Sequence, residues 1–278
     1  MSNGAATLEA ARPASEAGRL AAAGTRTGFS PSRMIAVMRK ELRSYFAFPL
    51  VYIVAAVFTL FAGIRAWSDL NFFETMSFAR DIIQNYWQLL FSDIRQVLWL
   101  TLPFITMRSF AEERKLGTIE LLYTYPIRDG EILGGKYLAA IVIFLMMLSF
   151  TLLYPAYVYW IHSFPLFPLL AGYVGLLLIG AAFIAFGVFV SSLCESQVVA
   201  GVATLVGLLL IWVLNWNEAA FQSSWLDALR SFSMFDEFDT FAKGVIDIDH
   251  ITYFVFFIIF FLFLTMRSME ARKWTGRR

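Results

Sequence analysis

Few side chains in this 278-residue chain are spaced to do chemistry, and the most suggestive spacing is deceptive. Gly130-Glu-Ile-Leu-Gly-Gly135-Lys136-Tyr137 follows the G-x-x-x-x-G-K pattern of a phosphate-cradling loop. Such a loop also needs a Ser or Thr hydroxyl for Mg²⁺ at the next position and a buried strand in front of it. Tyr137 stands in that position and an apolar run follows, so the stretch is read as a flexible turn with Lys136 snorkelling at a helix start. His162 and His250 belong to no H-E-x-x-H spacing and have no cysteine beside them, and no G-x-S-x-G is present. Cys194 is the one cysteine, which excludes a disulfide framework and any multi-Cys metal site. Arg65 and Arg95 are read as snorkelling at outer helix ends in preference to coupling ions. No catalytic, metal-ligating or substrate-binding residue is assigned, and no nucleic-acid partner is expected.

The elements that carry these residues are set by composition. Hydrophobic residues make up 59% of the chain and charged residues only 15%, with 29 phenylalanines. Soluble domains run near ~45–50% apolar and ~25% charged. A soluble enzyme of this size would lack a charged skin, so the chain is read as an all-α integral membrane protein. Six segments approach the ~20 apolar residues that cross a bilayer: 47–64, 93–107, 137–154, 169–190, 198–214 and 251–266. The second is the weakest, being short and carrying Asp93 and Arg95 at its start; extension back through Trp87 and Phe91 restores its length. Pro103 and Pro155 are expected to kink or end their helices. The sixth is apolar all round, which suits a lipid-facing helix. Small residues such as Gly172, Gly175, Gly180, Gly187, Gly201 and Gly207 suit close helix contact, either within the bundle or at a dimer seam.

Six spans put both termini on one side, together with 17 of the 22 Lys and Arg residues. That side carries +7 and the other −6, and the basic side is expected to be cytoplasmic. Residues 1–30 read as a disordered tail without the apolar core of a signal peptide, and 269–278 as a basic cytoplasmic tail. Residues 31–46 read as an amphipathic helix in the headgroup plane: Met34, Ile35, Met38, Leu42, Tyr45 and Phe46 fill one arc, and Arg33, Arg39, Lys40 and Arg43 the other. Glu41 falls awkwardly at the edge. The external stretch 217–250 interleaves aromatics with acids and is expected to form short interfacial or re-entrant helices.

The most informative stretch is the loop 107–136. Residues 111–123 read as a helix interrupted at Gly117, with Glu112, Glu113, Arg114, Lys115 and Glu120 at polar positions. Ile119, Leu121, Leu122 and Tyr123 form an apolar patch that suits a protein partner. This loop resembles that of ABC-2-type ABC transporter permeases, E-x-x-x-G-T-x-E-x-L-x-x-x-P. The matching residues are Glu113, Gly117, Thr118, Glu120, Leu122 and Pro126, with Glu112 and Arg114 also typical. Within that superfamily the chain looks most like the gliding-motility-type permeases, with support from 39–46, 106–108 and 173–182.

The resemblance implies a six-helix transmembrane domain over 47–268 without a nucleotide site of its own. Residues 31–46, with Arg39, Lys40 and Arg43, would be the family's elbow helix. Glu112, Glu113, Arg114, Gly117, Thr118, Glu120, Leu121 and Leu122 would form a coupling helix seated in an ATPase groove. ATP and Mg²⁺ would bind two copies of that separate ATPase, and the permease would pair with a second copy or a paralogue. An auxiliary periplasmic or membrane subunit and membrane lipids complete the implied partners. The implied activity is transport across the inner membrane, with a lean to export. A membrane anchor or mechanical subunit of a gliding or envelope machine is the alternative, and a secondary carrier is less favoured because intramembrane ionisable chains and repeats are not evident.

Overall fold

In the computed structural model, the described residues are 29–75, 82–117, 127–161, 165–216 and 234–275. All their regular structure is helical. The helices are α1 (Pro31–Ala47), α2 (Pro49–Thr75), α3 (Ile82–Thr106), α4 (Ala111–Lys115), α5 (Asp129–Thr151), α6 (Leu153–Ile161), α7 (Leu166–Leu193), α8 (Gln197–Trp216), α9 (Met234–Ala242) and α10 (Ile248–Thr275). Five stretches are long and apolar enough to cross a membrane: Pro49–Phe72, Tyr86–Lys115, Asp129–Trp160, Leu166–Leu193 and Ile248–Ala271. Gln197–Val213 is a shorter apolar helix. The expected tail 1–30 lies almost wholly outside the described residues, as does the end of the 269–278 tail.

Proline sets several boundaries. Phe48 is extended before Pro49, which separates α1 from α2. α5 stops at Thr151, four residues before Pro155, because a proline ring clashes with that carbonyl and offers no N–H to it. The chain turns helical again in α6, so Pro155 breaks the helix without ending the apolar stretch that runs on to Trp160. Pro103 sits inside the last turn of α3, which runs on to Thr106.

α7 is the axis of the bundle, with α3, α5, α8, α9 and α10 all packed on it. Its glycines make that crowding possible. A Cβ on Gly172 would fall 2.0 Å from the Phe91 ring of α3, and one on Gly180 would fall 2.2 Å from the Phe144 ring of α5. The small residues of α7 therefore serve packing within the chain. α10 adds Phe254 to the core and rests Phe261 on Phe186 and Phe189, while Phe256, Ile259, Phe260 and Phe263 stay exposed. That pattern fits a helix with one face on the bundle and the rest on lipid.

Two sequence expectations change here. Asp93 and Arg95 lie in the middle of α3 and are buried, where their charges are met by partners from other helices. The arc expected for α1 is also rotated. Val37 and Tyr45 are buried with Met34, Met38 and Leu42 beside them, whereas Ile35 and Phe46 point outward with Arg39 and Arg43. The inward stripe follows α5, which accepts α1 against Gly134 and Gly135; a Cβ on Gly135 would fall 2.7 Å from Val37.

Candidate functional site

The candidate site is the end of the bundle where α1, α4 and the starts of α5 and α8 meet the end of α7. It begins with the residues that resembled a phosphate loop. Residues 130–137 are the first turns of α5, and Gly134 and Gly135 form the groove under α1. Tyr137 donates to the Ala181 carbonyl of α7 at 3.1 Å. The backbone here is helical, with the N–H groups of Glu131 and Ile132 already bonded to the Arg128 carbonyl.

Lys136 does not snorkel. It is 2% exposed, and three oxygens from three segments surround its ammonium. Glu41 Oε1 of α1 lies at 3.1 Å, Glu113 Oε2 of α4 at 3.0 Å and the Ser109 carbonyl at 2.6 Å. The Phe110 ring closes the site, its centroid 5.1 Å away. Lys40 bridges the same carboxylates from the outer side, at 2.7 Å from Glu113 and 3.3 Å from Glu41. Two ammonium groups and two carboxylates make a neutral cluster, which is what low dielectric demands of buried charge. Burial acts to lower the Lys40 pKa, but Glu113 and Glu41 outweigh it and hold the group above its ordinary value.

Further contacts fasten α4 to the rest of the bundle. Ser191 of α7 receives the N–H groups of Phe110 and Ala111 at 3.1 and 3.2 Å, and donates to the Met107 carbonyl at 3.1 Å. These are the N–H groups that a helix start leaves without internal partners. Arg114 donates to the Cys194 carbonyl at 3.2 Å. Arg108 holds Glu112 through two hydrogen bonds, 2.8 and 3.0 Å, and its guanidinium lies over the Phe48 ring at 3.5 Å. Tyr45 donates to the Ile105 carbonyl at 3.2 Å, and burial pushes its hydroxyl up to about 12. At the other end of α1, Glu131 accepts the N–H of Ser30 at 2.6 Å and that of Arg128 at 3.1 Å.

α4 then stops. Leu116 N–H reaches back to Glu112, Gly117 N–H to Arg114, and Gly117 takes φ 67°, the left-handed turn that ends helices at glycine. Lys115, Leu116 and Gly117 are exposed, Leu116 at 66%. The expected break at Gly117 is present, and the continuation expected over 118–123 lies outside the described residues. Of the residues expected to meet an ATPase, Glu113 faces into the fold, Glu112 and Arg114 are half-buried and tied to neighbours, and Gly117 is exposed. Thr118, Glu120, Leu121 and Leu122 lie outside the described residues. Of the basic residues in α1, Arg39 and Arg43 are exposed and Lys40 is tied into the cluster.

Sequence reasoning missed Lys136 and Glu41 as site residues. A signal was available: each is a lone charge on an otherwise apolar helix face, and opposite lone charges of that kind tend to meet. Arg65 and Arg95 are also paired, Arg65 with Asp93 at 2.7 Å and Arg95 with Asp239 at 2.5 Å.

Comparison with protein families gives a match over residues 35–269, to a family described as ABC-2 family transporter protein. Comparison with curated proteins gives no significant match.

Proposed function

The chain belongs to the ABC-2 family of transporter proteins, and from that premise we propose that it is the permease subunit of an exporter driven by a separate ATPase. The single observation that carries this reading is the family match over nearly all of the membrane part. The site geometry supports the way the two subunits would meet. α4 is bonded to α1, α5 and α7, while Lys115 to Gly117 stand exposed at its end. A partner pressing there would push on three helices together, as a rigid-body transition requires.

In this reading Gln197–Val213 and the five longer stretches are six crossings, with both termini cytoplasmic. α1 is the elbow helix, its Arg39 and Arg43 facing anionic headgroups. α4 and residues 118–122 form the coupling helix in the ATPase groove. Two ATPase copies hold ATP and Mg²⁺, and a second permease copy or a paralogue completes the path. The gliding-type assignment, an auxiliary subunit and the inner-membrane location belong to the same reading.

Affinity purification of the tagged chain in mild detergent tests it. The expected result is a co-purifying ATP-binding subunit, with ATP hydrolysis present in the complex and lacking in the permease alone. In that complex, Thr118→Pro with Glu120→Lys is expected to abolish the permease's effect on hydrolysis. Purification without any ATPase, at an occupancy that preserves other partners, would refute the proposal and favour an anchoring role.

A further inference from the structure

α9 enters the bundle more deeply than a surface helix would. Gly187 of α7 packs on Thr106 of α3 and marks the level of the α1 end. Phe235, in the first turn of α9, has its ring 6.1 Å from that of Phe183, only one turn of α7 away from Gly187. Phe241, at the other end of α9, fills the space over Gly175, where a Cβ would fall 2.5 Å from it. α9 therefore runs antiparallel to α7, starting deep and rising away from the α1 end. Arg95 precedes Thr106 by eleven residues, about 16 Å at ~1.5 Å per residue, which is roughly halfway across a ~30 Å hydrocarbon core.

Arg95 is 8% exposed, and its hydrogen bonds and ring contacts among the described residues all go to α9. It meets Asp239 Oδ1 at 2.5 Å and the Phe235 carbonyl at 3.0 Å, with the Phe235 and Phe238 rings at 5.1 and 4.9 Å. Its Nε is buried without an acceptor. Asp93, which also acts on Arg95, is already engaged by Arg65, and Glu237 of α9 pairs with His250 of α10. Asp236, also in the first turn of α9, adds negative charge around the guanidinium.

We propose that Arg95 and Asp239 form a releasable latch inside the membrane, seating α9 as a plug in the bundle, and that α9 leaves this seat during the transport cycle. The release step rests on the transporter reading; the latch itself does not. Arg95 is the buried member of this pair, while the Asp239 side chain is 41% exposed; such a pair is poor static glue, because apolar residues of similar volume hold a core as well or better. What an ion pair supplies instead is two well-separated states. While seated, each charge satisfies the other; once α9 moves, Arg95 loses all these contacts together and an intermediate position is costly. The chain beyond α9 is suited to a swing. Gly244 takes φ 83° against Pro168, at the junction between α9 and α10. Asp236, Glu237 and Asp239 would hydrate readily outside the seat.

The test replaces Cys194 with alanine, introduces Ala242→Cys on the buried face of α9, and measures labelling by a water-soluble maleimide. In the purified permease, labelling of this parent is expected to be slow. Asp239→Asn is expected to raise its rate about tenfold or more, while Asp239→Glu keeps it slow. The apolar pair Arg95→Met with Asp239→Leu also keeps it slow, because packing replaces the ions. A control cysteine at Ala139, in the core of α5, is expected to stay slow throughout; a matching rise there means global unfolding and overturns the latch. Labelling of Asp239→Asn at the parent rate overturns it too. In the complex with the ATPase, nucleotide is expected to raise labelling of the parent but not of the apolar pair. No response in the parent, or an equal one in both, overturns the release. If no ATPase co-purifies, the transporter reading fails and takes the release step with it, while the measurements on the permease alone still decide the latch.

Discussion

Lys136 holds its ammonium 3.0 Å from Glu113 and 3.1 Å from Glu41, so one buried lysine at the start of α5 joins carboxylates from two other helices. Its neighbour in the cluster, Lys40, touches the same two carboxylates from a side chain that is 57% exposed. Burial makes these two lysines unequal.

Lys136→Met leaves two close carboxylates short of a counter-ion in a buried site, and removal of one partner from such a site costs about 3–5 kcal/mol. Lys40→Met loses a pair that water already screens, worth under about 1 kcal/mol. Thermal unfolding of the two variants in detergent is expected to show a large drop for Lys136→Met and a small one for Lys40→Met. Lys136→Met with Glu113→Gln is expected to recover part of the loss, since Lys40 and Glu41 then balance.

The Lys40 contribution has a defined pH dependence. Its folded pKa lies above the ordinary 10.5, so its stabilisation is complete below that value and fades as the pH rises through the folded pKa. Between neutrality and pH 9, unfolding of the wild-type chain and Lys40→Met is expected to differ by a constant amount. The gap is expected to close only in strong alkali.

Glycines of different kinds are expected to respond differently. At Gly180 an added Cβ meets the Phe144 ring at 2.2 Å, so Gly180→Ala forces a core helix pair apart and costs about 1–3 kcal/mol by overpacking. At Gly117 nothing lies within 4 Å of an added Cβ, and only the left-handed backbone resists it. Gly117→Ala is expected to cost about 1 kcal/mol locally, leaving the unfolding midpoint nearly unchanged while altering the α4 end.

Ser191→Ala removes the oxygen that receives the Phe110 and Ala111 N–H groups. Leaving buried donors unsatisfied costs about 1–3 kcal/mol, and the effect falls first on α4. Trypsin cleavage after Lys115, which is exposed, is expected to quicken several-fold in this variant with little change in cleavage after Arg43.

Much of the architecture was legible because the bilayer imposes a length and a composition on what crosses it. The helices at 49–72, 129–160, 166–193 and 248–271 answer to apolar runs that need no tertiary context to see. The α4 end at Gly117 was legible too, since glycine is the ordinary residue for a left-handed turn. The phosphate-loop spacing misled for the opposite reason: glycine marks a flexible loop and a tight helix crossing alike. Gly134 and Gly135 are of the second kind because α1 lies on them.

The charges divide the same way. The sequence alone establishes how scarce they are and how unequally they sit along the chain, which points to a membrane protein with one basic side. Whether a given charge faces lipid, water or another charge depends on which helices are neighbours. Lys136 was expected to reach for water and instead lies under α1; Arg95 was expected at a helix end and instead lies in the middle of α3 against α9. Local pattern fixes the helices because their hydrogen bonds are internal to each segment. The partners of a buried charge come from segments far along the chain, Glu41 to Lys136 and Arg95 to Asp239, and only the packing of α1 on α5 and of α9 on α3 and α7 brings them together.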